Sequence, residues 1–414
     1  MTNSLGFLPC DILLPKNVDM SKWSVIACDQ YTSQPEYWDK LESWVGSAPS
    51  TLRLILPEAY LDKPDSKDRA KRIPGCMHDY LNSGLFEVVK DSYIYVERTL
   101  RDGRVRRGIV GALDLEVYDF SSASQTLCRA TEATVVERLP ARVEIRKDAP
   151  LELPHIMMLI DDHKNLVFEP FLEHEGLKKL YDFELYPQSG RICGFRIDGS
   201  KKEAVNNGLF KLYNNSNTKN PLLYAIGDGN HSLAAAKLYY EQLKKELGDS
   251  AKTHPARFAL LELVNLRDNA LDFEPIHRVV FEVEPQHFIS EFKKFYPDMQ
   301  KGKIGVQNVT IITDGVQNQY GFTAPKHKLC VGTVQCFLDW YIQKFGGKID
   351  YIHGTGAVQK LAIGKDRVGL LLDNVDKSAF FESIINDGAL PRKTFSMGHA
   401  WDKRFYIECR KITL

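Results

Sequence analysis

Residues 92–120, SYIYVERTLRDGRVRRGIVGALDLEVYDF, carry the strongest secondary-structure signal in the chain. Two runs rich in β-branched and aromatic residues flank Asp102-Gly103, a pair suited to a tight turn with positive backbone angles, so the stretch predicts an antiparallel hairpin. Upstream, Ser33–Gly46 has Pro35 in its first turn and apolar residues at Tyr37, Trp38, Leu41, Trp44 and Val45, the spacing of an amphipathic helix. A second helical stretch covers Ser66–Leu81, with an interruption expected at Pro74-Gly75. Downstream, Ala130–Arg146 reads as a helix with a kink before Pro140. IMMLIDD and LVFEPFLE read as paired strands around residues 162–165, followed by short helices near Gly176–Phe183 and Lys201–Tyr213.

Strand-like and helix-like segments continue to alternate beyond that point. RFALLELVNL, FEPIHRVVFEV, VTIITD, YGFTA, DYIHG and RVGLLLD predict strands; PQHFISEFKKFY, Thr333–Phe345 and Ser378–Asn386 predict helices; KTFSMG and RFYIECRKI form a terminal strand pair. Many hairpins with few strand–helix–strand units imply an α+β fold of mixed, largely antiparallel sheets with flanking helices. Three regions are expected, with soft borders: 1–150, 151–300 carrying the site discussed next, and 301–414.

Composition limits the function. Among 414 residues, 43% are hydrophobic and 26% charged, and 54 basic residues balance 54 acidic ones. No global field draws in nucleic acid or an anionic membrane, so neither is an expected partner, and any phosphate site must be local. The eight cysteines have no C-x-x-C spacing, which argues for reduced thiols and against a zinc or redox centre. The N-terminal stretch has no signal-peptide character and no apolar run reaches membrane-spanning length, so a cytoplasmic protein is expected. The reading leaves a homo-oligomer open.

The chemistry concentrates at AIGDGNHSLAAAK, residues 225–237. An apolar strand beginning at Leu222 stops at Gly227-Asp228-Gly229, and a helical pattern follows in which Leu233, Ala236, Tyr240, Leu243 and Leu247 share a face. Glycines allow close backbone approach, Asn230 or Ser232 could cap the helix, and the helix start carries partial positive charge. Such a junction can cradle an anion with Gly229, Asn230 and Ser232. Asp228 is placed to hold a magnesium ion or orient a group, and His231 to move a proton. A plain strand-to-helix turn is the bland alternative. An aspartate beside an anion is unfavourable without a cation, so the functional reading needs a metal or a basic partner.

Candidate partners lie elsewhere in the sequence. Glu132, Arg138 and Arg142 fall in TEATVVERLPARVEIR, where the two arginines share a helix face if Pro140 permits. His277 and Arg278 are adjacent on a strand and so point to opposite faces. Arg392 and Lys393 follow a proline ahead of a strand. For each stretch, a solvated or salt-bridged charge is the commoner role. No Walker loop, G-x-S-x-G elbow, H-E-x-x-H or G-x-G-x-x-G is present.

Together, Asp228-Gly229-Asn230-His231, PIHRVV at 275–280 and LPRKTFSMGHAWDKRF at 390–405 resemble the signature stretches of a widespread bacterial domain family of unknown function. Its usual motif is Asp-Gly-His-His-Arg. IACDQYTSQPEYW (26–38) and RATEATVVERLPAR (129–142) resemble its early segments, so the likeness spans most of the chain. That family is distantly similar to the ParB and sulfiredoxin superfamily, which includes free serine kinases, with the corresponding element here around residues 222–247.

The resemblance implies a phosphotransferase-like enzyme acting on a small phosphorylated or hydroxyl-bearing metabolite, serine or phosphoserine included, with ADP or ATP and Mg2+ as cofactors. On that reading His231 and Asp228 are catalytic, Asp228 doubles as the metal ligand, and Arg138, Arg142, Arg392 and Lys393 are phosphate clamps. Glu132 engages a substrate amine, and His277 is a weaker substrate-binding candidate. A phosphoserine phosphatase-like hydrolase and a non-catalytic nucleotide-binding regulatory module are the competing readings. The sequence departs from the family pattern at Asn230, where His is usual, and at Ser232, where Arg is usual. Another cation, such as Arg142 or Lys393, must then supply the missing charge.

Overall fold

The computed structural model describes residues 5–32, 34–61, 63–132, 134, 139–216, 220–391 and 393–414. The chain divides into two compact units. The first comprises residues 1–130, 134–271 and 399–414, and the second residues 131–133 and 272–398. These units cut across the expected segments 1–150, 151–300 and 301–414. The cause is long-range pairing: the strand Phe258–Asn265 lies against Val105–Asp114, and residues 399–414 return to pair with Val25–Ile26 and Leu151–Glu152.

The predicted hairpin is present and central to the first unit. Phe86–Thr99 and Val105–Asp114 pair antiparallel from Ile94↔Val110 to Thr99↔Val105. They belong to an eleven-stranded sheet whose main path runs 178–184, 191–197, 86–99, 105–114, 258–265, 157–160, 224–228, 128–130 and 118–119. Most neighbours are antiparallel; 258–265 with 157–160, 224–228 with 128–130, and 118–119 with 128–130 are parallel. The fold class is therefore α+β with mixed, largely antiparallel sheets.

The apolar run Tyr93-Ile94-Tyr95-Val96 is buried throughout because the sheet is covered on both faces. Tyr93 and Tyr95 pack into one cluster with Leu233, Ala236 and Tyr240 of the helix Asn230–Leu247. Ile94 and Val96 pack into another with Trp38, Leu41 and Val45 of the helix Pro35–Val45. Alternating side chains of one strand thus serve two cores, and little polar alternation survives in its sequence.

The second unit is built on a seven-stranded antiparallel sheet. Its path is 299–301, 316–322, 307–313, 367–372, 273–281 and 348–353, with 395–397 joined to 273–275. The helices Pro285–Phe295 and Cys330–Phe345 belong to this unit, with Phe292 stacked on Phe337 and Phe288 meeting it edge-on.

Several local expectations are corrected. The helix Ser66–Asn82 runs through Pro74 without interruption, anchored by buried Ile73 and Met77; proline removes a single helical hydrogen bond, and packing offsets the loss. Leu139–Asp148 is helical, with Pro140 in the first turn where its missing N–H costs little, while Cys128–Ala130 is a strand. Lys178–Glu184 is a strand rather than a helix because it pairs with Arg191–Ile197. LVFEPFLE is not a strand: the Asp162 carboxylate accepts the Val167 N–H and Glu169–Phe171 forms a short 3-10 turn. KTFSMG and RFYIECRKI do not pair with each other; Phe405–Tyr406 joins Val25–Ile26. Residues 355–361 form a short helix.

Candidate active site

The strand Tyr224–Asp228 and the helix Asn230–Leu247 place the Asp-Gly-Asn-His-Ser run where the sequence puts it. Gly229 joins them with φ +77°, and a Cβ there would lie 2.9 Å from Ile156 Cγ1 and 3.0 Å from Ile156 Cα. Glycine is required for both reasons: left-handed backbone and close approach to the neighbouring chain. Ile156 is there because the strand Met157–Ile160 pairs antiparallel with the 224–228 strand, Asp228 opposite Met157. The same pairing brings His155 alongside the turn.

The helix begins without a side-chain cap, so the expected capping by Asn230 or Ser232 does not occur. Asn230 Nδ2 donates to the Ile226 carbonyl (3.2 Å), and Ser232 Oγ lies 3.0 Å from His155 Nε2. Gly229 N–H donates to Asp228 Oδ1 at 2.9 Å. His231 is the second helical residue and half-buried.

The cation that Asp228 requires is Lys403. Its Nζ lies 3.2 Å from Asp228 Oδ2, with only 8% of the lysine side chain and 18% of the aspartate side chain exposed. A second carboxylate, Asp29, shares this charge. Burial opposes its ionisation, but His155, a hydrogen bond from Gln30 and Lys403 together hold the carboxyl below its ordinary range. Beyond the ring, His155 Nδ1 lies 3.0 Å from the Tyr406 hydroxyl, which also accepts the Cys28 N–H at 3.2 Å. The cluster therefore comprises Asp29, His155, Asp228, Ser232, Lys403 and Tyr406, two half-buried acids around one lysine and one imidazole.

Lys403 is held in place by its neighbour. Arg404 pairs with Glu262 and, at 2.6 Å, with Glu408; these side chains are at most 2% exposed. Tyr406 is 2% exposed. The stretch 403–408 is thus pinned by buried ion pairs, which fixes where the lysine emerges.

Arg142 reaches the edge of this cluster. It pairs with Glu58, whose N–H donates to the Cys28 carbonyl at 2.8 Å, adjacent to Asp29. Arg138 and Arg392 lie outside the described residues. Glu132, His277 and Lys393 belong to the second unit, and Asp228, Gly229, Asn230, His231, Ser232 and Arg142 to the first. Glu132 Oε1 accepts the Thr394 N–H at 3.1 Å, so this carboxylate orders the 390–394 segment. His277 Nδ1 accepts the Leu372 N–H at 3.2 Å; burial first, then Arg278 and His353, push its pKa down to about 4. This neutral acceptor is part of the sheet. Lys393 is exposed and has a positive φ of 57°.

The expected resident magnesium does not fit the donor set. Asp228 faces an ammonium group whose charge also reaches Asp29, and among the described residues no group of three or more His, Cys, Asp or Glu side chains is placed to hold a metal ion. Lys403 supplies the positive charge for which the sequence calls for a metal or a basic partner.

Sequence reasoning missed Asp29, His155, Lys403 and Tyr406. Asp29 and Lys403 sit inside IACDQYTSQPEYW and LPRKTFSMGHAWDKRF, so weighing the acids and bases of those stretches would have found them. His155 carries no sequence signal beyond its place ahead of a buried strand.

The fold and site define a domain built around a strand–glycine–helix junction furnished with acids, a histidine and a nearly buried lysine. The chain belongs to a protein family of unknown function, DUF1015, whose model matches residues 10–341. No curated protein matches it. Among solved structures, SbnI with a C-terminal truncation from Staphylococcus aureus is similar at 9% identity and a TM-score of 0.39, covering 70% of this chain and 82% of that one. A free serine kinase in complex with AMP is similar at 10% identity and a TM-score of 0.37, covering 73% and 91%. A conserved hypothetical protein from Pyrococcus furiosus is similar at 11% identity and a TM-score of 0.36, covering 73% and 94%. No helix among the described residues is long and apolar enough to cross a membrane.

Proposed function

We propose that the Asp228–Ser232 junction binds the phosphates of ADP or ATP and supports phosphoryl transfer to or from a small hydroxyl-bearing metabolite, with serine and phosphoserine the first substrates to try. The observation that carries this reading is Lys403, an ammonium group 8% exposed, set 3.2 Å from Asp228 at the uncapped start of an 18-residue helix. Phosphoryl transfer needs positioning and charge neutralisation more than covalent chemistry from the protein. The helix start and Lys403 supply positive potential for the phosphates. Asp29 and His231 are the groups proposed to handle the acceptor's proton, with Asp228 orienting Lys403. Arg142, two links from Asp29, is the rim cation. Magnesium, on this reading, arrives on the nucleotide rather than residing in the protein.

The test is calorimetric titration with ADP, ATP and pyrophosphate, with and without Mg2+, followed by chromatography for serine–phosphoserine interconversion. Nucleotide binding that weakens at least tenfold in Lys403→Met supports the reading. Binding of none of the three at millimolar concentration, or equal binding by Lys403→Met, rejects it.

A further inference from the structure

Ser232 has a hydrogen-bonding environment that neither a helix cap nor a phosphate cradle accounts for. Its hydroxyl faces Nε2 of His155 at 3.0 Å, within the range for a nucleophile and its base. The opposite ring nitrogen, Nδ1, meets the Tyr406 hydroxyl at 3.0 Å, and the two rings pack edge-on with centroids 5.5 Å apart.

Tyr406 adjoins the ring nitrogen whose protonation sets the tautomer. Its oxygen accepts the Cys28 N–H, and its hydroxyl also reaches the Cys28 thiol, which gives the phenolic proton an acceptor. With that proton directed to sulfur, the oxygen can accept a second hydrogen bond, from His155 Nδ1–H. A base at Nε2 requires this arrangement, with the ring proton on Nδ1 and a lone pair on Nε2 facing Ser232. Asp29 interacts electrostatically with the same imidazole, so positive charge formed there has a counter-charge at hand. Lys403 interacts with Asp29 and pairs with Asp228, placing a cation in the same cluster.

We propose that Ser232 is a nucleophile that accepts the terminal phosphoryl group of a nucleoside triphosphate, with His155 as its base. Ser232 Oγ attacks the γ-phosphorus. The new O–P bond forms as the bond between that phosphorus and the β–γ bridging oxygen breaks. The electron pair leaves with the nucleoside diphosphate, and the serine proton passes to His155 Nε2. The product is phosphoserine at position 232, held beside Lys403. Asp29 stabilises the imidazolium, and Tyr406 is a positioning residue that sets the tautomer. The inference rests on the nucleotide reading of this junction and extends it to a covalent step.

The whole chain is incubated with γ-labelled ATP, quenched, and mapped by peptide mass spectrometry, with ADP binding measured in parallel by calorimetry. The expected result is one phosphoryl group on the peptide bearing Ser232. It should be absent from Ser232→Ala and to form about 100-fold more slowly in His155→Gln. Tyr406→Phe, which keeps the ring but loses the hydroxyl, is expected to shift the pH profile of labelling rather than abolish it. Mapping on the unmodified protein keeps the test decisive should a variant fail to fold. ADP binding without phosphoryl on Ser232, or with label only on another residue such as His231, overturns the inference and leaves the nucleotide reading standing. Failure of both ADP and ATP to bind overturns both.

Discussion

Replacing Lys403 by methionine and Asp228 by asparagine, singly and together, measures how far the site depends on one ammonium group. At 3.2 Å and an effective dielectric near 20, the Lys403–Asp228 attraction is about 5 kcal/mol before dehydration and side-chain ordering are counted. Ordering a lysine side chain costs up to about 2 kcal/mol, and dehydrating the two groups costs more. Asp228 keeps the Gly229 N–H and some solvent, so the net coupling should be about 2 kcal/mol. Lys403→Met alone should destabilise by about 3 kcal/mol, because Asp228 and Asp29 lose their shared cation; adding Asp228→Asn should cost little more.

The measurement is urea unfolding followed by tryptophan fluorescence in a Trp340→Phe background. The remaining tryptophans, 23, 38, 44 and 401, all belong to the first unit, so the signal reports that unit. Free energies are compared only where two probes give coincident transitions. A coupling energy below about 0.5 kcal/mol, the level at which independent sites add, would refute the claim that these groups form a coupled pair.

Other consequences can be checked directly. Gly229→Ala forces a left-handed alanine and a Cβ 3.0 Å from backbone at Ile156, and should cost about 2 kcal/mol or more; a thermal melt unchanged from the parent would contradict the described turn. Arg404→Met leaves Glu262 and Glu408 without their guanidinium and should destabilise the first unit by about 3–5 kcal/mol, read by the same urea assay. His277 binds its proton less readily in the fold than in the unfolded chain. Its contribution is therefore present above pH 6.5 and lost as pH falls toward 4, up to about 3 kcal/mol. Melting curves of the parent and His277→Asn should converge over that window, and parallel curves would show that His277 is not the group responsible.

What the sequence discloses depends on how local the cause is. The 92–120 hairpin and the helices Pro35–Val45 and Asn230–Leu247 were legible because turn residues, first-turn proline, a terminal glycine and apolar spacing all lie within the elements themselves. Lys178–Glu184 was misread because its charged residues are weak strand formers; only pairing with Arg191–Ile197 makes it extended. Pro74 shows the reverse: a strong local breaker overridden by a buried face. At the site, the glycine, acid and histidine were readable as neighbours in sequence. The lysine completing them stands 175 positions from Asp228, and His155 stands 77 from Ser232, separations that no spacing rule reaches. The arginine that could be foreseen, Arg142, is committed to Glu58.

The return of residues 399–414 to the first unit also imposes an order on biosynthesis. Asp29, His155, Asp228 and Ser232 are all synthesised before residues 272–398 of the second unit, and Lys403 and Tyr406 only after them. At about 5–20 residues per second, the interval from Asp228 to Lys403 is about 10 to 35 seconds. Throughout it the nascent protein carries two acids without their lysine and a histidine without its tyrosine partner. A chain released early in that interval can therefore hold most of the sheet and still lack the charge balance of its own site.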